Sequence, residues 1–115
     1  MKLKITSSEV EGASIVDLDG RIVLGEESQS LREKLKVLIA MGKKNIVLNM
    51  SKVEYIDSTG LGTLVAAQVS AKTQGASLKL SNLGAKFNEL LQLTKLFTVF
   101  EVCPTEAAAI ASFAR

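Results

Sequence analysis

The feature that most constrains the fold is a change of hydrophobic period along the chain. From residue 28 onward, stretches with the 3.6-residue period of helices alternate with short apolar runs. One such run, at residues 46–50, is almost unbroken and begins with two β-branched side chains. Runs of this kind are typical of strands buried on both faces of a parallel sheet. The alternation therefore predicts an α/β fold with a small, mixed and mostly parallel sheet.

The other elements follow from the same patterns. Alternating apolar residues predict a hairpin over residues 3–18, with a turn at Glu11 and Gly12. Further strands are expected at residues 46–50, 78–80 and 96–102, and helices at residues 28–41, 58–74, 84–94 and 105–115. We expect Ser28 to be the N-cap of the first helix and Pro104 to lie in the first turn of the last one. The apolar side of the second helix is predicted to comprise Leu61, Leu64, Val65, Gln68 and Val69.

Composition excludes several classes of function. The 115 residues suit one domain spanning residues 1–115, and 47% hydrophobic residues are enough to build its core. The net charge is +2 and the longest basic run is Lys43–Lys44, so the clustered basic stripe of a nucleic-acid-binding protein is missing. The chain has no histidine, which excludes a Ser-His-Asp or Cys-His nucleophile and the usual zinc sites. We therefore expect no catalytic residues, no metal and no cofactor.

The remaining sequence signals concern location and redox state. Cys103 is the single cysteine, so an intrachain disulfide is impossible, and we expect a buried, unreactive thiol. The first ten residues contain no apolar signal-peptide core, and no apolar run approaches the length of a membrane span. We expect a soluble cytoplasmic protein that does not insert into membranes.

One stretch, YIDSTGLGTL at residues 55–64, breaks a local rule. Asp57 or Ser58 is expected to cap a helix, yet Gly60 and Gly62 fall in its first turns. A glycine inside a helix costs roughly 1 kcal/mol relative to alanine. Two explanations stand side by side. The glycines leave the surface around a hydroxyl bare, so that another protein can approach it, or they let the helix pack tightly against a neighbour.

The chain resembles a known family at this point. Residues 47–67, VLNMSKVEYIDSTGLGTLVAA, closely resemble the signature of STAS domains, the bacterial anti-sigma factor antagonists. The resemblance continues through residues 75–102, with the segment LTKLFTVF, and covers about residues 3–110. It implies a STAS fold, in which about four helices pack mainly on one face of the sheet.

The resemblance also implies a mechanism called partner switching. In the best-known members, the unphosphorylated domain binds an anti-sigma factor that is itself a serine kinase, and sigma factor is released. The kinase phosphorylates the serine that follows the motif's aspartate, and a serine phosphatase reverses the modification. That serine corresponds to Ser58. The expected partner-binding residues are those that match the motif: Asp57, Ser58, Thr59, Gly60, Leu61 and Gly62.

Physical arguments lead to expectations about this surface. A phosphoryl group on Ser58 adds roughly −1.5 to −2 charges, which a partner lying across Leu61 would have to desolvate. Ser58→Ala is expected to bind constitutively and Ser58→Asp weakly. Thr59 is expected to be an ordinary first-turn residue, and Tyr55 and Ile56 to be packing residues. A bulky residue at Gly60 or Gly62 is expected to weaken partner binding more than folding.

The sequence departs from the family after its first strands. Members of the family usually have a G-x-L-D pattern there, whereas this chain has Gly20, Arg21, Ile22 and Val23, with Glu26 and Glu27 slightly later. The identity of the partner is therefore open. A non-enzymatic accessory subunit of a larger assembly, such as a stress-signalling complex or a lipid-transport system, is the alternative function. An enzyme is disfavoured, because no pair of reactive side chains has informative spacing.

Overall fold

Five strands form one sheet in the order β1-β2-β3-β4-β5 in a computed structural model, which describes residues 3–113. The strands are β1 (Lys4–Val10), β2 (Ala13–Ile22), β3 (Asn45–Ile56), β4 (Ser77–Ser81) and β5 (Glu101–Cys103). The helices are α1 (Glu26–Ala40), α2 (Ser58–Thr73), α3 (Ala85–Thr94) and α4 (Glu106–Phe113), with a 3-10 turn at Leu96–Thr98. The predicted α/β class and the alternation of strands and helices are confirmed.

The sheet is mixed, as predicted. β1 and β2 are antiparallel, and the other neighbouring pairs are parallel. The hairpin turns at Glu11 and Gly12, whose φ values of 49° and 83° lie in the left-handed region that tight hairpin turns require. The parallel strands place their carboxyl ends, and the loops that follow them, at one edge of the sheet.

Successive residues of β3 serve two different cores, because side chains alternate across a strand. Ile46 and Leu48 belong to the larger core, which α1, α2 and α3 cover, whereas Val47 belongs to a smaller core under α4. Among the described residues, three helices cover one face of the sheet and one helix covers the other, which confirms the expected arrangement with helices mainly on one face. None of the helices between residues 3 and 113 combines the length and apolar character needed to cross a bilayer.

The predicted start of α1 is wrong. The N-cap is Gly25, whose φ of 110° suits glycine and turns the chain into the helix before Ser28 is reached. Ser28 is buried within the helix, and its hydroxyl donates a hydrogen bond to the Val23 carbonyl at 2.7 Å. The predicted stop is confirmed, because Gly42 follows the helix with a φ of 83°.

The C-terminal elements also differ from the predictions. The strand predicted over residues 96–102 begins only at Glu101, as β5. The residues before it form the 3-10 turn, in which Leu96, Val99 and Phe100 pack into the larger core with helical spacing. The last helix begins at Glu106, so Pro104 precedes it, and the Thr105 hydroxyl caps it by accepting the Ala108 N–H at 3.0 Å. Residues 114 and 115 of the predicted helix lie outside the described residues.

Two side chains are less buried than expected. Val69, predicted to lie on the apolar side of α2, is 57% exposed, because it lies beyond the face that contacts the sheet. Cys103 is half-buried and packs against the smaller core rather than being fully enclosed.

Candidate functional site

The start of α2 lies directly after β3, at the edge where the parallel strands end. Asp57 is the N-cap in an extended conformation, and its Oδ1 accepts the N–H of Gly60 at 2.7 Å. Of the two predicted caps, Asp57 is therefore the one used. Ser58 becomes the first residue of the helix, and its side chain is exposed.

The Asp57 carboxylate also holds a second segment of the chain. Its Oδ2 accepts the backbone N–H of Leu24, in the loop between β2 and α1, at 3.0 Å. The Asp57 N–H donates to the carbonyl of Ile22, at the end of β2, at 3.2 Å. The start of α2 and the β2–α1 loop are therefore joined through one residue, and they form one surface.

The same contacts act on the charge of Asp57. The N–H groups of Gly60 and Leu24, in that order of importance, lower the pKa of the Asp57 carboxyl below its usual value, because they stabilise the charged form. Asp57 is therefore a fixed negative charge beside Ser58 at neutral pH. Any group added to Ser58 is placed next to this charge.

The two glycines have different surroundings, which separates the two explanations left open by the sequence. A Cβ on Gly60 would lie 2.0 Å from the carbonyl oxygen of Ile22, a distance that real Cβ atoms essentially never show. Gly60 is thus required for the close packing of α2 on the end of β2, and of the two explanations the packing one applies to this residue, so a bulky residue here is expected to disturb folding first. A Cβ on Gly62 would meet nothing within 4 Å, so Gly62 does leave open surface.

The six motif residues divide into exposed and buried groups. Ser58, Thr59 and Gly62 are exposed, and Asp57 is half-buried. Leu61 is 7% exposed and belongs to the larger core. A partner therefore has no direct access to most of the Leu61 side chain, and the assignment of Leu61 to the partner surface stays a prediction.

Tyr55 and Ile56, predicted as packing residues, also differ from one another. Ile56 is half-buried against the larger core, as expected. Tyr55 is 53% exposed, and the Arg21 guanidinium lies over its ring, with the Arg21 Cζ 5.3 Å from the ring centroid. Arg21 and Tyr55 face each other in the β2–β3 ladder. They therefore form a stacked surface pair close to the end of β3.

Leu24 is the site residue that sequence reasoning missed. Its side chain is 73% exposed, although its backbone is fixed by Asp57. The sequence signal that could have identified it is a large apolar residue immediately before Gly25, because nothing local explains why a loop would expose such a side chain. Glu26 and Glu27, which follow, form the first turn of α1, where acidic residues favour the helix dipole.

The comparisons with known proteins agree with this architecture. The sequence profile described as the STAS domain matches residues 4–109. The anti-sigma-B factor antagonist of Bacillus subtilis is 32% identical over 102 residues, which cover 89% of this chain and 92% of that protein.

Solved structures of the same kind share the fold. A crystal structure of an anti-sigma factor antagonist from Mycobacterium paratuberculosis has a TM-score of 0.85 and 20% identity, covering 99% of this chain and 96% of the other. The Bacillus cell fate determinant SpoIIAA in its phosphorylated form has a TM-score of 0.71 and 17% identity, covering 97% of this chain and all of the other.

Proposed function

The chain belongs to the STAS domain family, and on that premise we propose that it is an anti-sigma factor antagonist switched by phosphorylation of Ser58. The unphosphorylated chain binds an anti-sigma factor with serine kinase activity, which releases sigma factor. The kinase then phosphorylates Ser58, and a serine phosphatase restores the binding form. The chain itself acts as a binding module and not as an enzyme.

One observation carries the proposal. Ser58 is an exposed hydroxyl at the first position of α2, because Asp57 has taken over the capping role. The relative named an anti-sigma-B factor antagonist supports the proposed function by similarity, and SpoIIAA, which was solved in a phosphorylated form, shares the fold. In the proposed complex, Ser58, Thr59 and Gly62 contact the partner, together with Leu24.

The charge of Asp57 makes the proposed switch sensitive to phosphorylation. The N-terminal end of a helix stabilises an added anion by about 0.3–1 kcal/mol, so the modified chain stays folded. The Gly60 N–H is already bonded to Asp57, however, and the ionised Asp57 repels a phosphoryl group beside it. Binding a partner over this surface would require both charges to be desolvated, which opposes the complex.

The proposal is tested first by intact mass and site mapping of the protein from its own cells, growing and stressed. A single phosphoryl group on Ser58 whose occupancy changes with condition is the expected result. The second arm measures binding to the co-purified partner, with Ser58→Ala expected to bind as tightly as the native chain and Ser58→Asp about tenfold or more weakly.

Two results would contradict the switch. One is an unmodified mass in every condition, and the other is equal affinity of Ser58→Ala and Ser58→Asp. Either would favour the accessory-subunit alternative, and the co-purifying proteins would then identify the assembly. Thr59→Ala is the control for the site of modification, because its hydroxyl is one residue away and also exposed, and this variant is expected to remain phosphorylated.

A further inference from the structure

The strand that leads to the Ser58 site is longer than one of its neighbours. β3 spans Asn45–Ile56, and its pairing with β4 ends where Asn49 faces Ser81. On its other side, β3 remains paired with β2 as far as Ile56. Within residues 3–113, the part of β3 after Asn49 therefore has a neighbouring strand on one side only.

The open side of β3 is not closed by other backbone segments. Outside the strand ladders, no backbone hydrogen bond in the described chain involves residues 50–56. The Ser51 N–H is instead bonded to the side chain of Asn49, at 3.0 Å. Lys52, Glu54 and Tyr55 are exposed along this stretch. A strand edge of this kind offers backbone donors and acceptors to another extended chain.

A groove lies beside this open edge. It has a volume of about 330 Å³, and residues at the end of β3 and at the start of α3 line its two walls. The β3 wall includes Val53 and Ile56, and the α3 wall includes Phe87 and Leu90. Glu54 on one wall and Lys86 on the other add one charge of each sign. The groove is thus mainly apolar, with a pair of opposite charges at its walls.

We propose that this groove binds an extended segment of another protein, which adds to the open edge of β3 as a strand. The backbone groups of β3 after Asn49 specify an extended backbone, because only that geometry satisfies a row of strand donors and acceptors. The apolar walls specify apolar side chains at alternate positions of the segment, since alternate side chains of a strand point to the same side. Lys86 and Glu54 favour an acidic and a basic residue in the same segment.

The same features disfavour a second copy of this chain as the occupant. Because α3 lines the far wall, the space beside β3 is a groove that a single strand can enter and not an open continuation of the sheet that the edge of a second sheet could join. The surface includes neither Ser58 nor Leu24 in its walls, and the inference therefore stands independently of the phosphorylation switch.

Gly84 offers a variant that blocks the groove without straining the fold. It lines the groove, its φ is −76°, and a Cβ there would meet nothing within 4 Å. Gly84→Phe therefore adds a large side chain at the wall. Ala40→Phe is the matched control, because Ala40 is exposed at the end of α1, which leads into the opposite end of β3.

The experiment uses the full chain and a phage-displayed library of random nonapeptides as the probe. A selected peptide is synthesised unmodified and in two N-methylated forms, with the methyl groups on odd or on even residues. We expect the peptide to shift the backbone amide NMR signals of residues 51–56. Gly84→Phe is expected to weaken binding about tenfold or more, and Ala40→Phe to leave it unchanged. One N-methylated form is expected to lose binding and the other to keep it, since a strand presents alternate N–H groups to each side.

Several results would overturn the proposal. They are the selection of no binding peptide, amide shifts confined to other residues, binding that Gly84→Phe leaves unchanged, and equal binding of the two N-methylated forms. Sedimentation of the free chain is measured in parallel. A dimer that Gly84→Phe dissociates would assign the edge to a second copy and would also overturn the proposal.

Discussion

The carboxylate of Asp57 accepts a hydrogen bond from the backbone N–H of Leu24 at 3.0 Å, although the two residues are 33 positions apart in the sequence. The same carboxylate caps α2 through Gly60. One side chain therefore ties the loop after β2 to the helix after β3, and it does so next to Ser58. A charge added to Ser58 would therefore lie beside the carboxylate that holds the Leu24 backbone.

The first prediction concerns acid sensitivity at Asp57. Because its pKa is lowered in the folded chain, the unfolded chain takes up a proton first as the pH falls. The stabilisation is present above the ordinary aspartate pKa of about 3.9 and is lost as the pH falls through the lower folded value. In Asp57→Asn, the side-chain NH2 would take the place of the Oδ2 atom that accepts the Leu24 N–H, and two donors cannot bond to each other. This variant is therefore expected to be less stable than the native chain at pH 7.

The measurement is urea unfolding, followed by circular dichroism, of both proteins over a pH series. The difference in unfolding free energy between the native chain and Asp57→Asn is expected to shrink below about pH 4. A difference that keeps its size into strong acid would show that the charge of Asp57 contributes nothing.

The second prediction separates the two glycines. Gly60→Ala forces a Cβ against the Ile22 carbonyl and is expected to destabilise the chain by about 1–3 kcal/mol or more. Gly62→Ala meets open space in a helix and is expected to stabilise it by roughly 1 kcal/mol. Urea unfolding of both variants tests this, and equal effects would contradict the packing of Gly60 on Ile22.

The third prediction assigns Leu24 to the partner surface. Leu24 and Leu93 are 73% and 76% exposed, so neither truncation to alanine is expected to change stability appreciably. Leu24→Ala is expected to weaken partner binding by roughly 1–2 kcal/mol, because an exposed apolar side chain on a fixed backbone is a suitable anchor. Leu93→Ala, on α3, is the matched control. Calorimetric titration with the partner gives the result, and identical affinities for the two variants would remove Leu24 from the surface.

The fourth prediction links phosphorylation to the loop. A phosphoryl group on Ser58 repels the Asp57 carboxylate, and this repulsion opposes the hydrogen bond to Leu24. Amide hydrogen exchange at Leu24 is expected to be faster in the phosphorylated chain, whereas exchange at Leu48, in the centre of the sheet, stays unchanged. Unaltered exchange at Leu24 would mean that the modification acts through its own charge alone.

The sequence by itself determined the fold class and pointed to the start of α2 as the candidate site. Apolar periodicity located the strands around Ile46–Leu48 and Leu78–Leu80, because burial on a sheet and on a helix face requires different spacings. The Asp57 cap was predictable for the same kind of reason, since capping is a local interaction between residues three positions apart. The start of α1 was predicted less well, because the positive φ of Gly25 begins the helix three residues before Ser28, the predicted N-cap.

Only the tertiary structure decided how the site is assembled. The clash that forbids a side chain at Gly60 involves Ile22, and the clamp on Leu24 involves Asp57, so both depend on β2 and β3 lying side by side. The burial of Leu61 and the open edge of β3 after Asn49 depend on where neighbouring elements end. Local sequence patterns carry no information about such contacts, because the residues that make them are distant in the chain and meet only when the sheet forms.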